Sequence, residues 1–386
     1  MKLTTRRYLL PFVLITSLFF LWGFARAILD VLNQHFRDSM DISITESSLI
    51  QVTTFLAYFL TAIPAGLFIS RFGYRRGVVC GLILYAVGSF LFIPGSNIGT
   101  LPAYLLCLFI IGVGLTFLET SANPYATELG PEESATSRLN LSQSFNGLGS
   151  MLAPLLVGGF LFTGGNISTP YIVMGGVVLV VALLFSVVEL PEIKTEEDGH
   201  DNTLNSKSLR VFTPNFILGL SALFAYEVSE ISINSYFVMF LTGEGYADRL
   251  EASQLLSLAL GIFMCGRFIG AWVMQHIRPA VVLLCCAVGS VLCMLAILFG
   301  GEMSIYALVV NFACESIMFP TIFALALTNM DAATKKRASS LLMMTPVGGC
   351  AFLLMGIIAD ADSLTTPFII PLAGFAIVLY FALRNK

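Results

Sequence analysis

The sequence predicts an all-α membrane protein of twelve transmembrane helices, arranged as two pseudo-symmetric halves of six. Three observations carry that prediction. Of the 386 residues, 57% are hydrophobic and 11% are charged, with a mean hydropathy of +0.87; soluble domains run near about 45–50% apolar and about 25% charged. The apolar residues fall in runs of roughly 20 or more, enough for a helix to cross a hydrocarbon core and too long for a barrel strand. Lys and Arg gather in alternate loops. So few charges cannot cover a water-facing surface, which excludes a soluble enzyme, a nucleic-acid binder and a disordered chain. A net charge of −4 points to no polyionic partner.

Turn residues and charges cut the chain into apolar segments near 8–36, 46–70, 77–93, 101–128, 136–163, 169–188, 214–241, 252–276, 279–300, 304–329, 337–360 and 366–384. The first follows Lys2, Arg6 and Arg7 and passes Ala25-Arg26-Ala27, which mimics a signal-peptide cleavage site. It is longer than the roughly 7–15 residues of a signal core and many spans follow, so it reads as a retained helix. Pro64, Pro124, Pro154, Pro320 and Pro346 lie inside spans, where proline is tolerated if neighbours satisfy the freed carbonyl. The longest polar stretch, Glu189 to Arg210, reads as a solvated linker. It divides the chain into 1–188, a linker at 189–213, and 214–386. The halves echo each other: Pro124 answers Pro320, and Pro154 before Gly158-Gly159 answers Pro346 before Gly348-Gly349. Two six-helix halves suit alternating access to a site near the membrane midplane. All eight cysteines lie in apolar runs, no CxxC occurs, and His35, His200 and His276 are far apart. No disulfide framework, metal site or cofactor is expected.

The loop between spans two and three runs from Gly66 through Ser70, Arg71, Gly73, Arg75 and Arg76 to Gly77. It resembles the G-x-x-x-D-R-x-G-R-R loop of the major facilitator superfamily, with Ser70 in place of the Asp. The glycines allow tight turning and close helix approach, and the arginines can bond helix ends. The alternative is a merely basic cytoplasmic loop. Three further stretches sharpen the likeness: Leu21-Trp22-Gly23-Phe24 with Asp30; Leu118-Glu119-Thr120-Ser121-Ala122-Asn123-Pro124 through Arg138 and Asn146; and Ser316 to Phe323. Together they are similar to the fucose/galactose/gluconate–proton symporter family over nearly the whole chain. That resemblance implies a major facilitator fold, no enzymatic activity, and proton-coupled import of a small sugar such as L-fucose or a hexose. It also implies that Asp30 and Glu119 serve sugar binding and proton coupling. Arg26-Ala27-Ile28-Leu29 stands where the fucose-specific pattern has Asn residues, and Phe319 where it has Tyr. These departures remove hydrogen-bonding groups and add a cation, so they weigh against L-fucose more than against the transport class.

Charges inside spans are costly and mark function by default; here they are Arg26, Asp30, Glu119, Glu227, Glu230, Arg267 and Glu315. Trp22, Arg26, Asp30 and Asn33 share one helix face by their spacing, which offers an aromatic plate and polar groups suited to a sugar. Gln51, Thr54, Tyr58 and Thr61 form a stripe on span two. Glu119 and Asn123 align on span four, Asn140, Gln143 and Asn146 on span five, Glu227, Glu230 and Asn234 on span seven, and Asn311 with Glu315 on span ten. The candidate substrate residues are therefore Trp22, Arg26, Asp30, Asn33, Gln51, Tyr58, Asn123, Gln143, Asn146, Glu230, Asn234 and Glu315. Gly66, Arg71, Gly73, Arg75, Arg76 and Arg267 are candidates for gating.

Blander readings stand beside these. Arg26 and Asp30 could neutralise each other, Trp22 could simply pack, and the span-five amides could be interhelical glue. Arg267 could pair with Glu227 or Glu315. Glu119 lies deep in span four, where burial disfavours its ionised form, as a proton carrier requires. Asp30 lies nearer the outer end of span one. The chief rival function is a major facilitator exporter of drugs or metabolites by proton antiport. A sensor would need a further signalling domain, and a membrane enzyme would need a motif such as HExxH or GxSxG, which is absent. The expected partners are a small sugar, a proton and the lipid bilayer, with no nucleic acid, and the protein is expected to be a monomer.

Of the 20 Lys and Arg, only Arg37 and Arg249 fall outside the cytoplasmic side set by the positive-inside rule, Arg26 and Arg267 being within spans. Both termini and the linker should thus be cytoplasmic, in an inner membrane. Impermeant thiol labelling of single cysteines at Ser206 and Gly245 checks this. Labelling at 245 and not at 206 is expected in intact cells; external labelling at 206 would reject the topology.

Overall fold

The structure is a computed structural model that describes residues 4, 7–131, 135–188, 212–274, 276–328, 330, 334, 338, 341, 342 and 344–386. The described residues contain no strand. Eleven helices among them are long and apolar enough to cross a membrane, and a shorter apolar helix accompanies them. In chain order they are α1 (Leu9–Met40), α2 (Ile44–Phe72), α3 (Tyr74–Ile98), α4 (Leu101–Glu128), α5 (135–161), α6 (Ser168–Val187), α7 (Pro214–Gly243), α8 (Arg249–Val273), α9 (Pro279–Leu298), α10 (Met303–Ala326), α11 (Thr345–Ala361, the shorter one) and α12 (Thr366–Arg384). The expected linker 189–213, and the start (337–344) of the expected span 337–360, fall largely outside the described residues.

Proline acts differently from span to span. Pro64 and Pro124 sit within continuous helix. In α10 the helix breaks, with turn geometry at Ser316 and Ile317. Pro320 has no N–H to bond the carbonyl four residues back, which is that of Ser316. In α5, Pro154 opens a wide π-helical turn through Gly158, and in α11 Pro346 lies in a tight 3₁₀ turn, Thr345–Ala351.

The chain forms two compact units. The first comprises Met1–His35 and Leu49–Glu196, the second Phe36–Ser48 and Glu197–Lys386. In the first, α1 and α5 meet at backbone distance: a Cβ on Gly23 would collide with the Asn146 carbonyl, and one on Gly149 with that of Phe20. Ser150 Oγ donates to the Gly23 carbonyl at 3.2 Å and Asn146 Nδ2 to that of Phe19 at 3.2 Å. The turn from α2 to α3 passes through Gly73 at φ 85°, a region side chains avoid. Arg138, counted from sequence among the cations of the cytoplasmic side, is 0% exposed. Its Nε and Nη1 donate to the carbonyls of Ala126 at 3.1 Å and Pro131 at 2.9 Å, closing the end of α4.

In the second unit, α7 is buried along nearly all of its length from Ala222 to Leu241. Phe36–Ser48 is anchored by two carboxylates. Asp360 accepts the N–H groups of Ile44 at 3.1 Å and Thr45 at 2.8 Å, capping the start of α2. Arg249 Nε meets Asp38 at 2.7 Å.

The α1–α5 contact sets a stability test. Gly149→Val should destabilise the detergent-solubilised protein by about 1–3 kcal/mol, the usual cost of overpacking. Gly176→Ala meets open space and should be neutral or mildly stabilising. Equal melting temperatures for Gly149→Val and the parent would contradict the close approach.

Candidate functional site

The first unit collects most of the polar residues singled out from sequence. Trp22 on α1 donates its indole N–H to the Tyr58 hydroxyl on α2 at 3.2 Å. One turn along, the Arg26 guanidinium lies 5.7 Å from the Phe55 ring centroid, a cation–π contact. The charges of Arg26 and of Glu119 on α4 both reach Tyr58, and Arg26 also acts on Glu119. One further turn along α1, Asp30 accepts the Gln51 amide at 3.3 Å. Trp22, Tyr58, Phe55 and Arg26 thus bring aromatic faces and a cation together between α1 and α2, with Glu119 within electrostatic reach on α4 and Asp30 one turn further along α1. Asn33 and Gln51 are fully enclosed.

A second polar line runs between α4 and α5. Gln143 Nε2 donates to Asn123 Oδ1 at 3.4 Å. Asn146 spends its amide on the α1 backbone, as interhelical glue would. The Asn140 side chain lies outside the described residues.

The second unit holds its own cluster. On α7, Asn234 Nδ2 donates to Glu230 Oε1 at 2.8 Å. On α10, Asn311 Nδ2 donates to Glu315 Oε2 at 2.9 Å. The helices are joined here by the Tyr226 hydroxyl, which donates to the Glu315 backbone carbonyl at 3.3 Å. Glu315 and Asn311 are fully buried, whereas Glu230 is half-buried. Glu315 Oε1 and Asn311 Oδ1 meet no donor among the described residues, so this cluster is rich in acceptors. The Arg267 guanidinium on α8 lies 4.6 Å from the Phe263 ring centroid.

Phe55 and Tyr226 escaped the sequence reading. A Phe in an apolar span carries no polar signal; only its position three residues before Tyr58, on the same face, could have drawn attention to it. Among the described residues no group of His, Cys, Asp and Glu is arranged to hold a metal ion.

Each unit thus carries its own polar cluster within membrane-length helices. The sequence model of the Major Facilitator Superfamily matches residues 15–354. The chain belongs to the major facilitator superfamily. This facilitator is 32% identical to the glucose/galactose transporter of Brucella abortus over 383 residues, covering 96% of this chain and 92% of that protein. It is 31% identical to the L-fucose-proton symporter of Escherichia coli over 410 residues, covering 98% and 93%. The crystal structure of the E. coli fucose:proton symporter aligns with a TM-score of 0.73 at 30% identity, over 99% of this chain and 100% of that one. The facilitator is accordingly an integral membrane transporter, not an enzyme.

Only two tryptophans occur in the facilitator, and Trp272 is largely exposed. In a Trp272→Phe background the fluorescence reports Trp22 alone. Tyr58→Phe removes the indole's acceptor and should move that emission to shorter wavelength. An unchanged spectrum would mean that the bond does not form.

Proposed function

We propose that this facilitator is a proton-coupled symporter that imports a small neutral sugar by alternating access. The observation that carries the reading is the Trp22–Tyr58–Arg26–Glu119 cluster. It joins aromatic faces, of the kind that receive the apolar side of a sugar ring, to an embedded carboxylate within electrostatic reach of Arg26. The transported solutes named for its relatives, glucose/galactose and L-fucose with a proton, support it.

Glu119 is the proton carrier. A proton and Arg26 compete for the same carboxylate, so loading the proton frees Arg26, and losing it draws Arg26 back. That is a two-state element whose balance both proton and substrate can bias. Asp30, held by Gln51, is the sugar acceptor, with Trp22, Tyr58, Asn33, Asn123, Gln143 and Asn146 completing the first unit's polar face. Glu230, Asn234 and Glu315 contribute the acceptors of the second. Arg26 already lies against the Phe55 ring, which favours a hexose or deoxyhexose over a uronate. Both termini face the cytoplasm of an inner membrane, the protein acts as a monomer, and the α2–α3 loop arginines and Arg267 serve gating.

Proteoliposomes test the two carboxylates separately. Glu119→Gln mimics the protonated acid and should abolish uphill accumulation while sparing counterflow exchange. Asp30→Asn removes a charge-assisted acceptor, worth about 1.5–3 kcal/mol, and should weaken sugar binding about tenfold or more. Full pH-driven accumulation by Glu119→Gln would overturn its role. Uncoupled exchange with intact affinity in Asp30→Asn would reverse the two assignments.

The substrate class is checked by competition uptake with neutral, acidic and amino sugars, with and without an uncoupler. Neutral sugars should compete best and accumulate only with a proton gradient. Failure of every sugar, with extrusion of a lipophilic cation, would establish the exporter instead.

A further inference from the structure

A groove of about 520 Å³ opens on the first unit where the start of α3 meets the end of α6. It is lined by the apolar Val79, Cys80, Ile83 and Leu84 and by Arg75, Arg76 and Ser186. These α3 residues recur every three to four positions, so they share one face of the helix. From Arg76 to Leu84 the face runs about 12 Å, at about 1.5 Å per residue. Arg76 lies in the first turn of α3, at the membrane–water boundary, and the apolar floor leads from it into the hydrocarbon.

The turn from α2 into α3 carries positive charge only. Residues 66–77 contain Arg71, Arg75 and Arg76 and neither Asp nor Glu. Ser70, which replaces the acid of the superfamily pattern, turns its hydroxyl back to the Leu67 carbonyl at 2.9 Å. Two of the three arginines have work within the protein. Arg71 lies 5.4 Å from the Phe72 ring centroid. Arg75 closes the end of α6, its Nε donating to the Phe185 carbonyl at 3.0 Å and its Nη2 to that of Ser186 at 2.6 Å. Arg76 is exposed and makes no hydrogen bond or ion pair among the described residues. It also sits at the positive end of α3.

We propose that this groove is a binding site for an anionic phospholipid, with the phosphate on Arg76 and one acyl chain along Val79, Ile83 and Leu84. Charge complementarity selects the head group: Arg76 offers a guanidinium in the fork geometry that suits phosphate. The apolar floor selects a lipid over a free anion, because a bare phosphate would leave it uncovered. The bound lipid also screens Arg76 from Arg75, and so steadies the bond between Arg75 and the α6 end. The proposal does not depend on which solute is carried.

Native mass spectrometry of the purified full chain, released from detergent with added lipid, tests it. Phosphatidylglycerol adducts should survive activation that strips phosphatidylcholine. Arg76→Gln should lower the retained phosphatidylglycerol at least fivefold, and Arg76→Lys should restore most of it. Leu84→Trp fills the groove without changing any charge and should lower retention as well. Arg278→Gln removes an exposed arginine of the second unit and should change nothing. Glycerophosphoglycerol, the head group without chains, should not compete. Melting temperatures of all four variants confirm that each is folded. Retention unchanged in both Arg76→Gln and Leu84→Trp would overturn the site, as would an equal loss in Arg278→Gln. Competition by the chain-free head group would replace the lipid with a free anion.

Discussion

In hydrocarbon no water completes a hydrogen bond that the chain leaves open, and each open bond costs several kcal/mol. That constraint governs the backbone first. It allows only helices here, and it makes the helices absorb their own hydroxyls. Thr54, Thr61, Thr116 and Ser121 each donate to the carbonyl four residues back. It also makes a proline in a span consequential. Where Pro320 frees the Ser316 carbonyl the helix yields, and it yields beside Glu315, whose own carbonyl is held by Tyr226. The break in α10 and its embedded acid thus lie side by side.

The same constraint gathers the charged side chains. Arg26 cannot stand alone in a span, and it lies against the Phe55 ring within the field of Glu119. Asp30 takes the Gln51 amide, Glu230 that of Asn234, and Glu315 that of Asn311. Of these, Glu315 keeps one buried carboxylate oxygen that meets no donor among the described residues. A carboxylate so placed is well suited to receive a proton or a sugar hydroxyl. Arg138 is the contrasting case: fully buried, it meets backbone carbonyls that would otherwise be open at the end of α4, and its role is structural.

At the membrane boundary water returns and the constraint relaxes, so surplus charge is tolerated. The α2–α3 loop carries arginines without a compensating acid. The capping of α6 by Arg75 and the capping of α2 by Asp360 are the two ways a helix end is closed at such a boundary, a cation for exposed carbonyls and an anion for exposed N–H groups.

Much of this was legible in the sequence by itself. Span positions follow from hydropathy summed over a window, and that sum needs no knowledge of neighbours. The family could be read from local stretches such as Gly66 to Gly77 and Leu118 to Pro124, because a motif is contiguous. Same-helix pairs were equally open to view: Asn234 with Glu230 and Asn311 with Glu315 are each one turn apart, and a fixed helical period places them together. The tertiary structure alone decided which helix faces meet. Trp22 finds Tyr58 across 36 residues of chain, and Arg75 finds Ser186 across 111. Arg138 proved to be a buried clamp on the end of α4, and Phe55, which carried no signal in the sequence, proved to be the platform for Arg26. Such outcomes depend on how each helix is rotated about its axis and how closely its neighbours approach. Those quantities are set by packing among residues far apart in the chain, to which a local pattern is blind.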